Sequence, residues 1–191
     1  MQGELFEPPL FDILSSLINN TGNSHIIVIG CGRRKKKSNS QAKFLYVSKR
    51  FKTSKDIAEN LSAYYLILSA FHGIITPDKE LDPYDFDIGK LPEESKNIWA
   101  NAALDNIYKI SGREPVTILA DGDYAELLLK FNANRIEPLN VTAPLVTIAM
   151  GHRQDWLNQA LQMSFRIRDL RRLYTIINQA RNSGNTLFLV I

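Results

Sequence analysis

Cysteine occurs once, at Cys31, in a chain of 191 residues. No internal disulfide and no multi-cysteine zinc site can form from it, which excludes a stapled extracellular fold. Long apolar runs are missing too: none approaches the roughly 18 residues of a membrane span. The N-terminus, Met1-Gln2-Gly3-Glu4-Leu5-Phe6-Glu7, lacks the basic stretch and apolar core of a secretory signal. A cytoplasmic protein without a membrane partner is therefore expected. An excess of one charge is also lacking, since 23 Lys and Arg face 20 Asp and Glu for a net +3. Bulk charge thus selects no partner, and only its distribution informs. Histidine is scarce, and His25, His72 and His152 show neither H-x-x-x-H nor H-x-E spacing, which disfavours a zinc site and leaves only a carboxylate-held magnesium open. There is no internal repeat and no low-complexity linker, and 45% of the residues are apolar. Residues 1–191 accordingly read as one α/β domain with its own core.

What is present alternates. Leu10, Ile13, Leu14, Leu17 and Ile18 have helical spacing across residues 8–20. His25-Ile26-Ile27-Val28-Ile29-Gly30 is a β-branched run without polar alternation, as expected of a strand buried on both faces of a parallel sheet. Comparable runs follow at Tyr64 to Ser69, Pro115 to Ala120 and Leu145 to Met150, with helical segments ending near Leu61, around residues 95–110 and from Tyr124 to Phe131. A long helical pattern runs from Gln154 to Ala180, and Thr186 to Ile191 suits either an edge strand or a packed tail. The order predicts a three-layer α/β fold with a mostly parallel central sheet of about four strands flanked by helices. In such folds ligands collect at the carboxyl ends of the strands. Here those ends read Gly30-Cys31-Gly32-Arg33, Ser69-Ala70-Phe71-His72-Gly73, Asp121-Gly122-Asp123-Tyr124 and Gly151-His152-Arg153-Gln154.

The first end opens a basic loop. Arg33, Arg34, Lys35, Lys36 and Lys37, then Lys43, Lys49, Arg50, Lys52 and Lys55, follow one another with no acid between them, and such a stretch repels itself unless something neutralises it. Gly30-Cys31-Gly32 permits a sharp turn and a close backbone approach to phosphate. Phe44, Tyr46 and Phe51 lie among the charges and are candidates to stack on bases. The alternative is a solvated loop followed by an amphipathic helix with Phe44, Leu45 and Phe51 in the core. Cys31 has no histidine partner in sequence and reads as a small buried hydrophobe; its place at the strand end puts it, with Gly32, among the substrate-binding candidates.

After the second strand the sign reverses, with Asp78, Glu80, Asp82, Asp85, Asp87, Glu93 and Glu94 against Lys79 and Lys90. Pro77 and Pro83 stiffen this segment, and Tyr84 offers a stacking face. An aspartate beside a phosphodiester can position water or stabilise a cationic sugar C1′, although aspartates next to prolines also serve simply as turn formers. His72 suits a general acid or a phosphate hydrogen bond, and equally a structural role.

Taken in order, Cys31-Gly32-Arg33-Arg34-Lys35-Lys36, Ala42-Lys43-Phe44-Leu45-Tyr46, Leu68-Ser69-Ala70-Phe71-His72-Gly73 with Pro77-Asp78, and Pro83-Tyr84-Asp85 resemble a prokaryotic domain family written Cys-Gly-x-x-Lys-Lys, Leu-Tyr, Leu-Ser-Ala-x-(His/Tyr)-Gly and Pro-Tyr-Asp. Gly122-Asp123-Tyr124 and Gly151 followed by Trp156-Leu157 continue the likeness, which spans about residues 26–160. That family is distantly similar to YaaA-type peroxide-stress proteins and to the uracil-DNA-glycosylase-like superfamily, including anti-phage glycosylases that remove modified bases. The resemblance implies a uracil-DNA-glycosylase-like fold and a cofactor-free hydrolase that excises a modified base from DNA. Asp82-Pro83-Tyr84 echoes a uracil-glycosylase tripeptide but follows the second strand instead of the first, so the echo is set aside. On this reading Asp85 activates water or stabilises the cation, with Asp121 as an alternate, and His72 and Ser69 orient. Tyr84 is the base platform, Tyr124 a further substrate contact, and Arg33, Arg34, Lys35, Lys36, Lys37 and Tyr46 hold the nucleic acid. A non-catalytic nucleic-acid-binding or stress protein and a small-molecule nucleotide hydrolase stand as alternatives.

Overall fold

The computed structural model describes residues 25–61 and 64–182; the helix expected over residues 8–20 and the strand expected over residues 186–191 lie outside them. Three strands form where β-branched runs predict them: β1 (Ile26–Gly30), β3 (Tyr65–Ser69) and β6 (Val116–Leu119). β1 pairs in parallel with both β3 and β6. A hairpin strand β4 (Gly73–Ile75) adds antiparallel to β3, and the short β7 (Val141–Thr142) adds parallel to β6, giving the order β4-β3-β1-β6-β7. The central sheet thus has five strands.

Successive residues of an extended chain point to opposite faces, and the sheet has a separate core on each. Ile27, Ile29, Tyr65, Ile67 and Leu119 join Phe51, Ile57 and Leu61 of α2 (Lys49–Leu61) and Trp156, Leu157 and Ile167 of α5 (Arg153–Asn182). Ile26, Val28, Leu66, Leu68, Val116 and Ile118 face the other way, onto Ala100, Leu104 and Ile107 of α3 (Glu93–Ser111) and Ala125 and Leu128 of α4 (Gly122–Ala133). The outcome is three layers, helix on sheet on helix. Burying one Leu or Ile side chain contributes about 1.5–3 kcal/mol, so each alternating triplet carries several such increments to both layers.

The strand expected at Leu145 to Met150 is absent. The chain instead makes 3-10 turns at Pro144–Val146 and Met150–His152. Pro144 has no N–H for a ladder, and Thr147 Oγ1 bonds the Pro144 carbonyl at 3.1 Å. Leu145, fully buried, serves as a core plug, while Val141–Thr142 upstream takes the place beside β6. No helix among the described residues is long and apolar enough to cross a membrane.

Candidate functional site

The chain leaves β1 for α2 on one face of the sheet and leaves β6 for α4 on the other. Where neighbouring parallel strands send their chains to opposite faces, a crevice opens at their carboxyl ends. Cys31 and Tyr124 meet across it, Sγ to hydroxyl at 4.0 Å.

The basic loop is ordered by backbone bonds. Lys36 N donates to Leu45 O at 2.9 Å and Val47 N to Arg34 O at 3.0 Å, with Lys35 bridged to Tyr46. Extended pairing sends alternate side chains to opposite sides. Lys35 therefore turns in while Arg34 and Lys36 point out, and Lys37, beyond the pairing, is exposed as well. The Lys35 ammonium lies 4.1 Å from the Tyr84 ring centroid and 5.8 Å from that of Tyr46. Burial draws the Lys35 amine below its ordinary range, with Cys31 and Asp85 pulling the other way. Exposed Arg33 reaches Asp87 at 3.4 Å.

The basic and acidic loops are sewn together further out. A two-stranded ribbon joins β2 (Ser40–Gln41), which leads into the single-turn helix α1 (Ala42–Leu45), to β5 (Glu80–Leu81). Lys43 pairs with Asp78, and Asn39 donates to Asp82 at 3.0 Å.

Below them runs a chain of hydroxyls. Ser69 Oγ accepts from Phe71 N at 3.2 Å and His72 N at 3.0 Å, and shares a 2.7 Å hydrogen bond with the Tyr84 hydroxyl. The Tyr84 hydroxyl shares another, at 2.8 Å, with Tyr46. Burial pushes the Tyr46 phenol up to about 12 and raises those of Tyr84 and Tyr124 as well. All three stay neutral at physiological pH. The His72 imidazole is lowered by burial and then by Lys79 and Lys35, so it too is neutral there. Its ring stands edge-on to Tyr84 and Phe71 at 4.9 and 4.8 Å, and its Nε2 is shielded with no hydrogen-bond partner among the described residues. Trp99 Nε1 donates to Ser69 O at 3.2 Å and the indole meets Tyr124 edge-on.

Asp121, at the end of β6, is held by two arginines: Arg50 in a short contact through Nη1, and Arg153 at 3.7 Å. It is an ion-paired group, whereas Asp85 is exposed, close enough to Lys35 to act on its charge.

Three expected roles change. Tyr46, assigned to nucleic acid, is only 1% exposed and has no face for a base. Gly32, expected to admit phosphate, is buried, and a Cβ there would lie 2.6 Å from Ser48 Oγ; its lack of a side chain serves internal packing. Tyr84 as base platform is already covered, by Lys35 and by Phe71, which stacks on it at 5.3 Å. Phe71 itself is 56% exposed and also meets Phe86 at 5.4 Å, so it offers the open aromatic face. Phe71 and Arg153 stood within the strand-end strings and Arg50 within the basic run, without a signal to single them out; Trp99 and Phe86 carried none. No three His, Cys, Asp or Glu side chains converge into a metal site among the described residues.

A mostly parallel sheet whose charged, aromatic loops gather over the carboxyl ends of its central strands has the layout of α/β domains that bind a ligand at that edge. Residues 26–159 match the model of a family of unknown function, DUF6884, and the chain belongs to that family. No curated protein and no solved structure matches it.

Proposed function

We propose that the chain is a glycosylase-like hydrolase that excises a modified base from DNA. The observation that carries this reading is the exposed aromatic face of Phe71, stacked on Tyr84 and flanked by Phe86 and His72, with the Lys35 ammonium over that same Tyr84 ring and the exposed carboxylate of Asp85 acting on Lys35. Flipping a base out of a duplex costs a few kcal/mol. Stacking on an aromatic contributes about 1–3 kcal/mol per base, so Phe71 together with phosphate contacts from Arg33, Arg34, Lys36 and Lys37 offsets that cost.

In this scheme Asp85 orients a water and stabilises the positive charge that develops at C1′. The water oxygen bonds to C1′, the C1′–N pair leaves with the base, and the water's proton ends on the base nitrogen. Neutral His72 orients the platform through its edge-on contacts with Phe71 and Tyr84, and the sequestered hydroxyls of Ser69, Tyr84 and Tyr46 hold it in place. The test is to incubate the protein with oligonucleotides bearing a panel of modified bases and to score abasic sites by alkaline cleavage. Abasic product is expected from at least one substrate. Undiminished activity in Asp85→Asn removes Asp85 from its role. A non-catalytic nucleic-acid-binding protein is the second reading, supported by Lys36 and Lys43 flanking exposed Phe44 at 5.6 and 5.2 Å, a surface that binds strands without chemistry; it predicts binding with no abasic product.

A further inference from the structure

Three helices begin at one place beside the crevice. Arg50 is the second residue of α2, Arg153 the first of α5, and Gly122 the first of α4, with Asp121 as its N-cap. Helix N-termini carry partial positive charge and favour anions. Arginines in a first turn stand against that preference, and the first turn of α2 holds no acid at all. Both guanidiniums converge on the single carboxylate of Asp121, while Asp123 and Asp155 lie in the first turns of α4 and α5.

The hydrogen-bond count points the same way. The Arg153 side chain is 10% exposed, yet only its Nε donates, to Ile148 O at 3.0 Å. Its two Nη nitrogens donate no hydrogen bond among the described residues and face the start of α4, where a Cβ on Gly122 would lie 3.2 and 3.4 Å from them. Arg50 Nε is buried and unpartnered as well. Glu126 Oε1 comes within 2.9 Å of the same Cβ position, but Glu126 forms no ion pair with either arginine. A buried guanidinium whose Nη nitrogens make only the 3.7 Å ion pair to Asp121 fits a phosphate, which accepts two parallel N–H bonds.

We infer that Arg50, Arg153 and the backbone at the start of α4 form a phosphate-binding site, which receives a phosphate of the substrate in the same helical turn as Tyr124. This deepens the glycosylase reading and rests on it for the identity of the substrate, but its test does not need base release. In the ¹⁵N-labelled protein, titration with inorganic phosphate is expected to shift the Gly122 and Asp123 amides and the Arg153 Nε–H saturably. Arg50→Gln is expected to weaken that binding roughly tenfold or more, the loss of one charge-assisted hydrogen bond. Asp121→Asn is expected to change it in the opposite direction, tightening phosphate several-fold because the competing carboxylate is gone. A purely structural Asp121 would not do this.

Preserved amide dispersion shows that each variant folds, and Arg153→Lys, which retains the charge and loses the fork, gives an intermediate affinity. Competition by an oligonucleotide without terminal phosphates assigns a backbone phosphate, and competition by a nucleoside 5′-monophosphate alone assigns a terminal one. Absence of a saturable shift, or shifts unchanged in both Arg50→Gln and Asp121→Asn, overturns the site. Failure to release any base while phosphate binds as described overturns the glycosylase reading alone.

Discussion

The ammonium of Lys35 sits 4.1 Å above the ring of Tyr84, which joins the basic loop after β1 to the acidic loop after β3. This contact is the innermost of a series that continues outward through Arg33 with Asp87, Asn39 with Asp82 and Lys43 with Asp78. Lysine over an aromatic face contributes about 0.5–2 kcal/mol depending on burial. Its larger effect is to hold one cation of the run at the crevice while its neighbours point to solvent.

Tyr84→Phe tests the hydroxyl chain. The substitution keeps the ring and removes the oxygen that links Ser69 to Tyr46, stranding two buried partners at about 1–3 kcal/mol. The urea midpoint should fall accordingly. Because both substitutions break the same network, Tyr84→Phe with Ser69→Ala should cost less than the sum of the singles. Additive losses would mean that the hydroxyls act separately.

Phe71 and Phe51 make a paired prediction. Phe71 is 56% exposed and Phe51 2% exposed. Phe71→Ala should weaken single-strand binding by about 1–3 kcal/mol while hardly moving the unfolding midpoint. Phe51→Ala empties core volume and should lower stability by about 3–5 kcal/mol. Equal strand affinity in wild type and Phe71→Ala would exclude Phe71 as the stacking face.

The two depressed imidazoles set a pH dependence. His25 is lowered by burial and by Arg171, and His72 by burial, Lys79 and Lys35. With folded values below the unfolded 6.5, the unfolded chain binds more protons in that window, so stability rises with pH and is lost as pH falls through about 6.5 and below. Chemical unfolding at pH 7.5 and 5.5 should show the decline, with a smaller drop in His72→Gln. An unchanged drop in that variant would assign the loss to other groups.

Gly32→Ala probes the entry to α2. The added Cβ would lie 2.6 Å from Ser48 Oγ and 3.3 Å from Ser48 Cβ. Ser48 Oγ accepts the Phe51 N–H at 3.3 Å and thereby caps the helix. Displacing a cap costs about 0.5–2 kcal/mol, which thermal unfolding should read. Ser48→Gly should relieve the clash, so the double variant should lose little beyond the cap itself.

The three central strands were legible from composition. A β-branched run such as Ile26 to Ile29 has no polar position, so it can only be buried on both faces, and that dictates helices on each side and a ligand edge at the carboxyl ends. The opposed charge of the loops after β1 and β3 was legible for the same local reason. Tertiary structure decided the rest. Nothing in residues 42–51 tells that Tyr46 is buried and Phe44 exposed; the bridge to Lys35 and the hydroxyl of Tyr84 settle that. Leu145 to Met150 has the composition of a strand, yet Val141–Thr142 already occupies the place beside β6. Arg50 meets Asp121 across 71 positions of sequence and Cys31 meets Tyr124 across 93. Periodicity reports which face of an element is dry, a property of neighbours in the chain. Which charges share a crevice depends on the order in which strands are laid side by side, and only the folded chain sets that.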